Sequence, residues 1–138
     1  MSLISRWWQN KGFGIESATD YAFLHDVIRE KMPYYAYDEI ERQHPHATQR
    51  ELRVRQLIYR VRNAFRGEKV VVVNGDELAP PLIPDIRAVM LVGIQLEQSA
   101  LWQEMLSLSH VITYDMKDIG IAIYDTDRHA QHYRILPL

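Results

Sequence analysis

The sequence predicts an α/β fold, with a small mixed sheet and helices packed on it. Helical periodicity dominates residues 1–67, whereas the stretches "KVVVVN" and "AVMLVGI" are apolar on both faces, as strands covered on both sides are. A helical stretch and a hairpin pattern follow these strands, so the sheet must also contain an antiparallel member. The length of 138 residues fits one domain, 1–138, in which residues 1–67 are mainly helical and residues 68–138 form the sheet.

The first clear helix begins near Ser17. Ser17 and Asp20 have the spacing of a capping box, in which each side chain satisfies a free amide of the first turn. The apolar residues that follow recur at helical spacing: Phe23, Leu24, Val27 and Ile28. The connector "YYAYDEIERQHPH" comes next, with one helical turn expected at 37–43.

The second helix, 48–66, is rich in arginine. Thr48 is suited to cap it and Gly67 to close it. Its apolar stripe is Val54, Leu57, Ile58, Val61 and Phe65. Residues 47–67 hold six arginines and one glutamate, a charge of +5 in a chain whose net charge is −2. Arg55, Arg62 and Arg66 flank one side of the stripe, and Arg53 and Arg60 flank the other.

The sheet-forming half begins with Val70–Val73, which the pattern predicts as a central, buried strand. "AVMLVGI" is a second buried strand, and "EQSALWQEMLSL" is a helix that should place Trp102 in the core. "HVITYDM" and "IGIAIYD" form a hairpin around Lys117 and Asp118, and "AQHYRIL" is a last strand.

The bulk composition narrows the function classes. The net charge of −2 gives no global field for nucleic acid or a membrane, and the chain has no cysteine. No apolar run approaches the roughly 18–20 residues of a membrane span, and the N-terminus lacks the pattern of a signal peptide. We therefore expect a soluble, cytoplasmic protein without membrane contact. The histidines, His44, His46, His129 and His132 among them, lack the spacing of a zinc site and are expected to face solvent, so no metal is expected.

Two long stretches carry a family resemblance. "GFGIESATDYAFLHDVIREKMPYYAYDEIE" is similar to the N-terminal half of bacterial class I S-adenosylmethionine-dependent methyltransferases, of the O-methyltransferase-like kind. "VMLVGIQLEQSALWQEMLSLSHVITYDMKDIGIAIYDTDRHAQHYRI" looks like the family's fifth strand, the helix after it and the terminal strand pair. The resemblance implies a truncated Rossmann-like sheet: N-terminal helices, then strand, strand, helix and hairpin.

The chain also departs from that family. Only about a dozen residues separate the first strand from the strand like the fifth, so the middle strands have no sequence to occupy. The loop after the first strand offers Gly75 alone, followed by "DELAPP", where the family carries several glycines. Where O-methyltransferase relatives carry carboxylates, this chain reads "VGIQ", with Gly93 and Gln95. These departures argue against the family's activity, and "NGDE" is expected to be a turn.

Three hypotheses follow. The first is a non-catalytic binding or structural module without a cofactor, and a homodimer, because a shortened sheet exposes edges and apolar faces. The alternative is an S-adenosylmethionine-dependent methyltransferase, minimal or completed by a partner subunit, with the cofactor beside Gly75 and Asp76 reaching a ribose hydroxyl. A weaker alternative is a nucleic-acid-binding module that uses the helix 48–66.

The arginine helix also has a structural interpretation. Its arginines are expected to pair with Asp38, Glu39 and Glu41 or with acids of the first helix, while their stems cover the apolar stripe. Trp7 and Trp8 are adjacent, so one of them should be exposed. The residues predicted to contact a partner, if there is one, are Arg55, Arg62, Arg66 and Trp7.

Overall fold

The computed structural model of the chain describes residues 3–10, 15, 17–31, 34–75 and 85–138, without the side chains of Trp8 and Asn10. Five α-helices, one π-helical turn, one short 3₁₀ turn (Leu96–Gln98) and five strands lie in these ranges. The helices are α1 (Leu3–Asn10), α2 (Ala18–Phe23), α3 (Tyr35–Gln43), α4 (Gln49–Ala64) and α5 (Ala100–Leu106). The strands are β1 (Lys69–Asn74), β2 (Ile86–Val92), β3 (Val111–Asp115), β4 (Ile119–Tyr124) and β5 (Gln131–Arg134). The predicted order of helices, strand, strand, helix and hairpin is confirmed.

Hydroxyl side chains start three of the helices. The Ser17 hydroxyl accepts a hydrogen bond from the Asp20 amide at 3.3 Å, and the Thr48 hydroxyl accepts one from the Glu51 amide at 3.1 Å. Ser99 caps α5 in the same way. Each bond satisfies an amide that has no partner inside its helix, which is why these residues mark the helix starts.

Helix α2 does not end as a regular α-helix. It runs directly into a π-helical turn, Leu24–Ile28, whose Leu24 and Ile28 side chains are buried against the sheet. Leu24 and Ile28 are four residues apart, a spacing that places both side chains on the face directed at the core. Helix α3 is longer than the single turn expected, since it begins at Tyr35.

The sheet has the order β1-β2-β4-β3-β5. Strands β1 and β2 are parallel, β4 is antiparallel to both β2 and β3, and β5 is parallel to β3. The mixed sheet is therefore confirmed. The hairpin around Lys117 and Asp118 is confirmed as well, because Asp115 of β3 lies opposite Gly120 of β4.

The prediction of Val70–Val73 as a central, buried strand is wrong. Among the described strands, β1 lies at one edge of the sheet, and only Val73 is buried while Val70, Val71 and Val72 are half-buried. An apolar run shows that both faces of a strand are covered, but it carries no information on how many neighbours the strand has. Of the two strands with this apolar pattern, β2 is the one that has covered faces and two neighbours.

Helices cover both faces of the sheet, which accounts for its doubly apolar strands. On one face, α2, its π-turn and α4 pack Leu24, Ile28, Leu57 and Val61 onto the sheet. On the other face, α5 packs Trp102 and Met105 beside other residues of the second core. Trp102 is 1% exposed, so its predicted place in the core is confirmed.

Helix α1 covers the opposite edge, at β5. The Gln9 side chain accepts a hydrogen bond from the Arg134 amide at 2.7 Å, and Arg6 donates to the carbonyls of Asp115 and Ile135 at 2.8 and 3.0 Å. Arg6 is 5% exposed and also pairs with the Asp115 carboxylate. The Gln9 bond occupies an amide that β5 would otherwise leave open at the edge, and the Arg6 bonds tie α1 to the end of β3 and to the residue after β5.

None of the helices in the described ranges has the length and apolar character that crossing a bilayer requires.

Candidate functional site: a cleft at the ends of the parallel strands

A cleft of about 770 Å³ opens at the carboxyl ends of β1 and β2, beneath α3 and α4. Open α/β sheets commonly bind ligands at this position, because backbone groups at the strand ends are not all used by the sheet. Its apolar lining residues are Ile40, Val54, Ile58, Val72, Val92 and Ile119. The remaining described residues are polar or glycine: Gln43, His44, Arg50, Glu51, Arg55, Tyr59, Arg62, Asn74, Gly75, Gly93 and Asp118.

Two glycines with positive φ form the floor of the cleft. Gly75 has φ +50° and Gly93 has φ +73°, and the Gly75 amide donates to the Val92 carbonyl at 2.7 Å. A Cβ atom at Gly75 would lie 3.7 Å from the Gly93 carbonyl oxygen, so space alone does not require glycine there. The left-handed backbone favours glycine, and the absence of side chains leaves main-chain groups accessible at the floor.

Two arginines of α4 stand on the wall. Arg55 and Arg62 are seven residues apart, which places their Cα atoms roughly 10.5 Å apart along the helix. Both are exposed, and neither has a hydrogen bond or ion pair with the residues that the structure describes. Their guanidinium groups are therefore available to a ligand in the cleft.

A third arginine is already engaged. Arg50 donates to a carboxylate oxygen of Asp118 at 2.7 Å and also to the carbonyl of Leu138. The other Asp118 oxygen, Oδ1, is buried and has no hydrogen-bond partner among the described residues of the chain. The charges of Arg50 and Asp118 thus offset each other at the hairpin end of the cleft.

The structure brings some of the predicted site residues together and separates others. Gly75, Arg55 and Arg62 share the cleft, whereas Asp76 lies outside the described residues. Arg66 is exposed outside the cleft and donates to the Asn63 side chain at 2.6 Å. Trp7 belongs to α1 at the opposite edge of the sheet and is 44% exposed, which confirms that one of the two adjacent tryptophans is exposed.

The predicted pairing of the α4 arginines with nearby acids is wrong for the described residues. Glu39 pairs with Arg42 inside α3, at 2.6 Å. Arg60, expected to flank the stripe, is 7% exposed and donates to the carbonyls of Val27 and Ile28 at 2.6 and 3.0 Å. The π-turn ends at Ile28, so the carbonyls there have no partner within the helix, and Arg60 donates to them. Leaving a buried carbonyl without a hydrogen bond costs more free energy than leaving a surface carboxylate unpaired, because the surface carboxylate is hydrated.

Arg60 also affects the pKa of its neighbour Arg29. Burial lowers the pKa of Arg29, the residue after the π-turn, and the nearby charge of Arg60 lowers it further. Arg60 also donates to the Tyr37 hydroxyl at 3.0 Å, which ties α3 to α4. The wall of the cleft is therefore fixed in place by a side chain that points away from it.

A second, smaller cavity of about 280 Å³ lies between α2 and the sheet, and the sequence did not indicate it. Its main feature is the carboxylate of Asp20, which is 2% exposed as a residue. This carboxylate accepts two hydrogen bonds from Arg128, at 2.5 and 2.8 Å, and one from the Tyr133 hydroxyl at 2.6 Å. Of the two bonds of the predicted capping box, the one from the Asp20 side chain is wrong, because that side chain faces Arg128 and not the amide of Ser17.

The Asp20 cluster has the character of a structural lock. The hydrogen bond with Asp20 raises the pKa of Arg128, and burial, followed by the charge of Asp20, raises the pKa of Tyr114. The Tyr114 hydroxyl donates to the Asp20 carbonyl at 2.9 Å. Because Asp20 is fully bonded to its neighbours, this cavity presents fewer groups to a ligand than the cleft does.

The histidines do not assemble a metal site. Within the described ranges, no group of three or more histidine, aspartate or glutamate side chains is placed to hold a metal ion. The ring of His44 is hydrogen-bonded to the Ile40 carbonyl at 2.9 Å, and that of His132 to the Thr113 hydroxyl at 2.8 Å. His46, His129 and His132 are exposed as predicted, and His44 is half-buried.

Comparison of the chain with protein-family models, with curated proteins and with solved structures finds no match.

Proposed function

We propose that this protein is a non-catalytic binding module of methyltransferase-like, truncated Rossmann-like descent, whose cleft takes a small anionic ligand. The observation that carries the proposal is the pair Arg55 and Arg62, which line a cleft at the carboxyl ends of two parallel strands without partners among the described residues. The ligand class is a phosphate- or carboxylate-bearing small molecule.

The charges of the cleft support this ligand class. Three arginines and two carboxylates, Glu51 and Asp118, lie among its described lining residues, and Arg50 offsets Asp118. A guanidinium group donates in a planar fork that matches carboxylate and phosphate oxygens. Among the described arginines of the cleft, Arg55 and Arg62 have guanidinium groups that are not used within the protein. The apolar wall residues Val54 and Ile58 would pack against the uncharged portion of the ligand.

The same lining favours binding over nucleophilic chemistry. The described residues of the cleft include no serine, threonine, cysteine or lysine that would serve as an activated nucleophile. The His44 ring nitrogen Nδ1 is engaged with a main-chain carbonyl and faces no group that it would deprotonate.

The alternative, S-adenosylmethionine binding, rests on a specific observation. Gly75 directly follows β1 and lies on the floor of the cleft, which is where the resemblance to methyltransferases implies the cofactor. S-adenosylmethionine carries a carboxylate, and this carboxylate would accept hydrogen bonds from Arg55 or Arg62 as another anion would. The nucleic-acid alternative has less support, since Arg50 and Arg60, two of the six arginines of this region, are engaged within the protein.

Titration calorimetry tests the proposal with pyrophosphate as the probe. We expect wild-type protein to bind it, and the double variant Arg55→Gln, Arg62→Gln to bind roughly tenfold or more weakly, because each arginine contributes charged hydrogen bonds. The matched control is Arg53→Gln, Arg66→Gln, which removes the same charge from exposed positions of the same region outside the cleft. An equal loss in both variants would contradict a cleft site.

The same variants separate the alternatives. Heat on titration with S-adenosylmethionine, lost in Asp76→Ala, would favour the methyltransferase alternative. Salt-dependent retention on RNA, weakened equally by both double variants, would favour nucleic-acid binding.

A further inference from the structure

The two edges of the sheet are treated differently. At β5, the Gln9 side chain of α1 accepts a hydrogen bond from the outward-pointing amide of Arg134. At β1, the described residues place no strand and no side-chain hydrogen bond on the outer edge of Val70–Asn74. Proteins usually block such edges with proline, charge or a bulge. In β1 the one charged residue, Lys69, and the one irregularity in pairing, between Lys69 and Val70, both fall at the start of the strand.

The direction of the free backbone groups follows from the pairing with β2. The Gly75 amide donates to the Val92 carbonyl, so the amides and carbonyls of residues 71, 73 and 75 point towards β2. Successive residues of a strand point these groups to opposite sides. The groups that point outward are therefore those of Val70, Val72 and Asn74.

This set is complementary to itself. In an antiparallel ladder, outward-pointing residues must lie opposite outward-pointing residues. A two-fold axis at Val72 meets that condition, with Val72 opposite Val72 of a second copy and Val70 opposite Asn74. The inward-pointing residues Val71 and Val73 then also lie opposite each other, and Lys69 lies at the far end of the ladder from its counterpart.

We propose that β1 pairs with β1 of a second copy of this chain. The two sheets would then form one continuous sheet, joined by an antiparallel β1–β1 pair centred on Val72. Within the strand, this register opposes Val72 to Val72 and Val71 to Val73, Val70 lies opposite Asn74, and no like charges face each other. The half-buried side chains of Val72 on the α4 side and of Val71 on the α5 side would each gain a valine neighbour from the second copy.

Val72→Pro is the first test, read by sedimentation equilibrium. The Val72 amide points away from β2, so proline removes no hydrogen bond inside one copy, and proline is tolerated on edge strands. In the dimer it removes both symmetric bonds at the axis, and we expect the dissociation constant to rise roughly tenfold or more. The matched control is Val72→Thr, which keeps both the amide and the branched shape and should remain dimeric.

A second test places opposite charges at the axis of the dimer and does not depend on the proline variant. Val72→Lys alone and Val72→Glu alone place like charges opposite each other at the axis and should be monomeric, while an equal mixture should form a heterodimer. Circular dichroism checks that each variant is folded.

Hydrogen exchange on the wild-type protein covers the case in which the variants do not fold. The amides of Val70, Val72 and Asn74 should become more protected as protein concentration rises. The proposal would be overturned if the wild-type protein were a monomer, or if the dimer were unchanged by Val72→Pro. It would also be overturned if the hydrogen-exchange protection in the dimer lay on α1, or if the amides of β1 were protected only by another protein.

Discussion

Asp20 and Arg128 lie 108 residues apart in the chain and face each other through two hydrogen bonds of 2.5 and 2.8 Å. The bonds join the first turn of α2 to the segment between β4 and β5, and Tyr133 of β5 adds a third bond to the same carboxylate. A two-pronged contact between a guanidinium and a carboxylate fixes orientation as well as distance. The pair therefore sets how the helical N-terminal half sits on the sheet.

Asp20→Ala should lower the free energy of unfolding by about 3 kcal/mol, because it leaves Arg128 and the Tyr133 hydroxyl without their shared acceptor in a largely buried setting. Urea denaturation followed by circular dichroism measures the change. Asp26→Ala is the matched control, since Asp26 is exposed and pairs with the exposed His25. Equal effects of the two substitutions would show that the Asp20 cluster is not a structural lock.

Arg60→Lys should cost about 2 kcal/mol of stability, although the charge is kept. A lysine ammonium cannot reproduce the guanidinium bonds to Val27, Ile28 and Tyr37 at once, so buried carbonyls at the end of the π-turn lose a partner. Arg53→Lys, on the exposed side of α4, should change the melting temperature little. If the Arg60→Lys and Arg53→Lys variants have the same melting temperature, Arg60 does not stabilise the end of the π-turn.

Gly120→Ala should destabilise the protein by about 3 kcal/mol. A Cβ atom at this position in β4 would lie 2.5 Å from Cζ3 of the Trp102 ring, and Trp102 is itself enclosed by the core. Urea denaturation followed by circular dichroism measures the free energy of unfolding. Gly67→Ala is the comparison, because Gly67 has φ +85° and open space around it, so its cost of about 1 kcal/mol is backbone strain alone.

His132 should make stability fall in mildly acidic solution. His132 is exposed as a residue, but the partial burial that remains lowers its pKa in the folded protein, and a hydrogen bond with the Leu106 main chain opposes the shift. The unfolded chain therefore takes up this proton at a higher pH than the folded chain does. The contribution is constant above the unfolded pKa of about 6.5 and is lost as the pH falls towards the folded value.

The measurement is the free energy of unfolding at about pH 8 and about pH 5, the interval in which histidine titrates. His132→Gln should narrow the difference between the two, and His46→Gln, in an exposed turn, is the matched control. A wider difference in the His132 variant would reverse the inferred sign.

Local patterns in the sequence predict the elements of this fold well, and non-local relations poorly. Ser17, Thr48 and the "KD" hairpin are decided by contacts within a few residues, and the structure confirms all three. The edge position of β1 depends on which strands pair, and two strands with the same apolar pattern occupy unequal places. Hydrophobicity alone cannot separate them, because it reports covered faces and not hydrogen-bonded neighbours.

The site shows the same division. The strand that ends at Gly75 and the arginines Arg55 and Arg62 are visible in the sequence as separate features, and the cleft that unites them appears only in three dimensions. The structural roles of Asp20 and Arg60 escape the sequence because their partners are remote along the chain or are main-chain carbonyls, which have no residue signature.

The docking of α1 has a consequence for synthesis of the chain. The groups that hold Arg6 and Gln9 belong to residues 115–135, so α1 leaves the ribosome long before its docking surface exists. At typical rates of translation, the delay is roughly 6 to 25 s. During that time Leu3, Ile4 and Trp7, which stay exposed even in the finished fold, stand on a helix without a partner. The nascent chain is then expected to offer this segment to chaperones, and β5 is the element whose arrival ends that exposure.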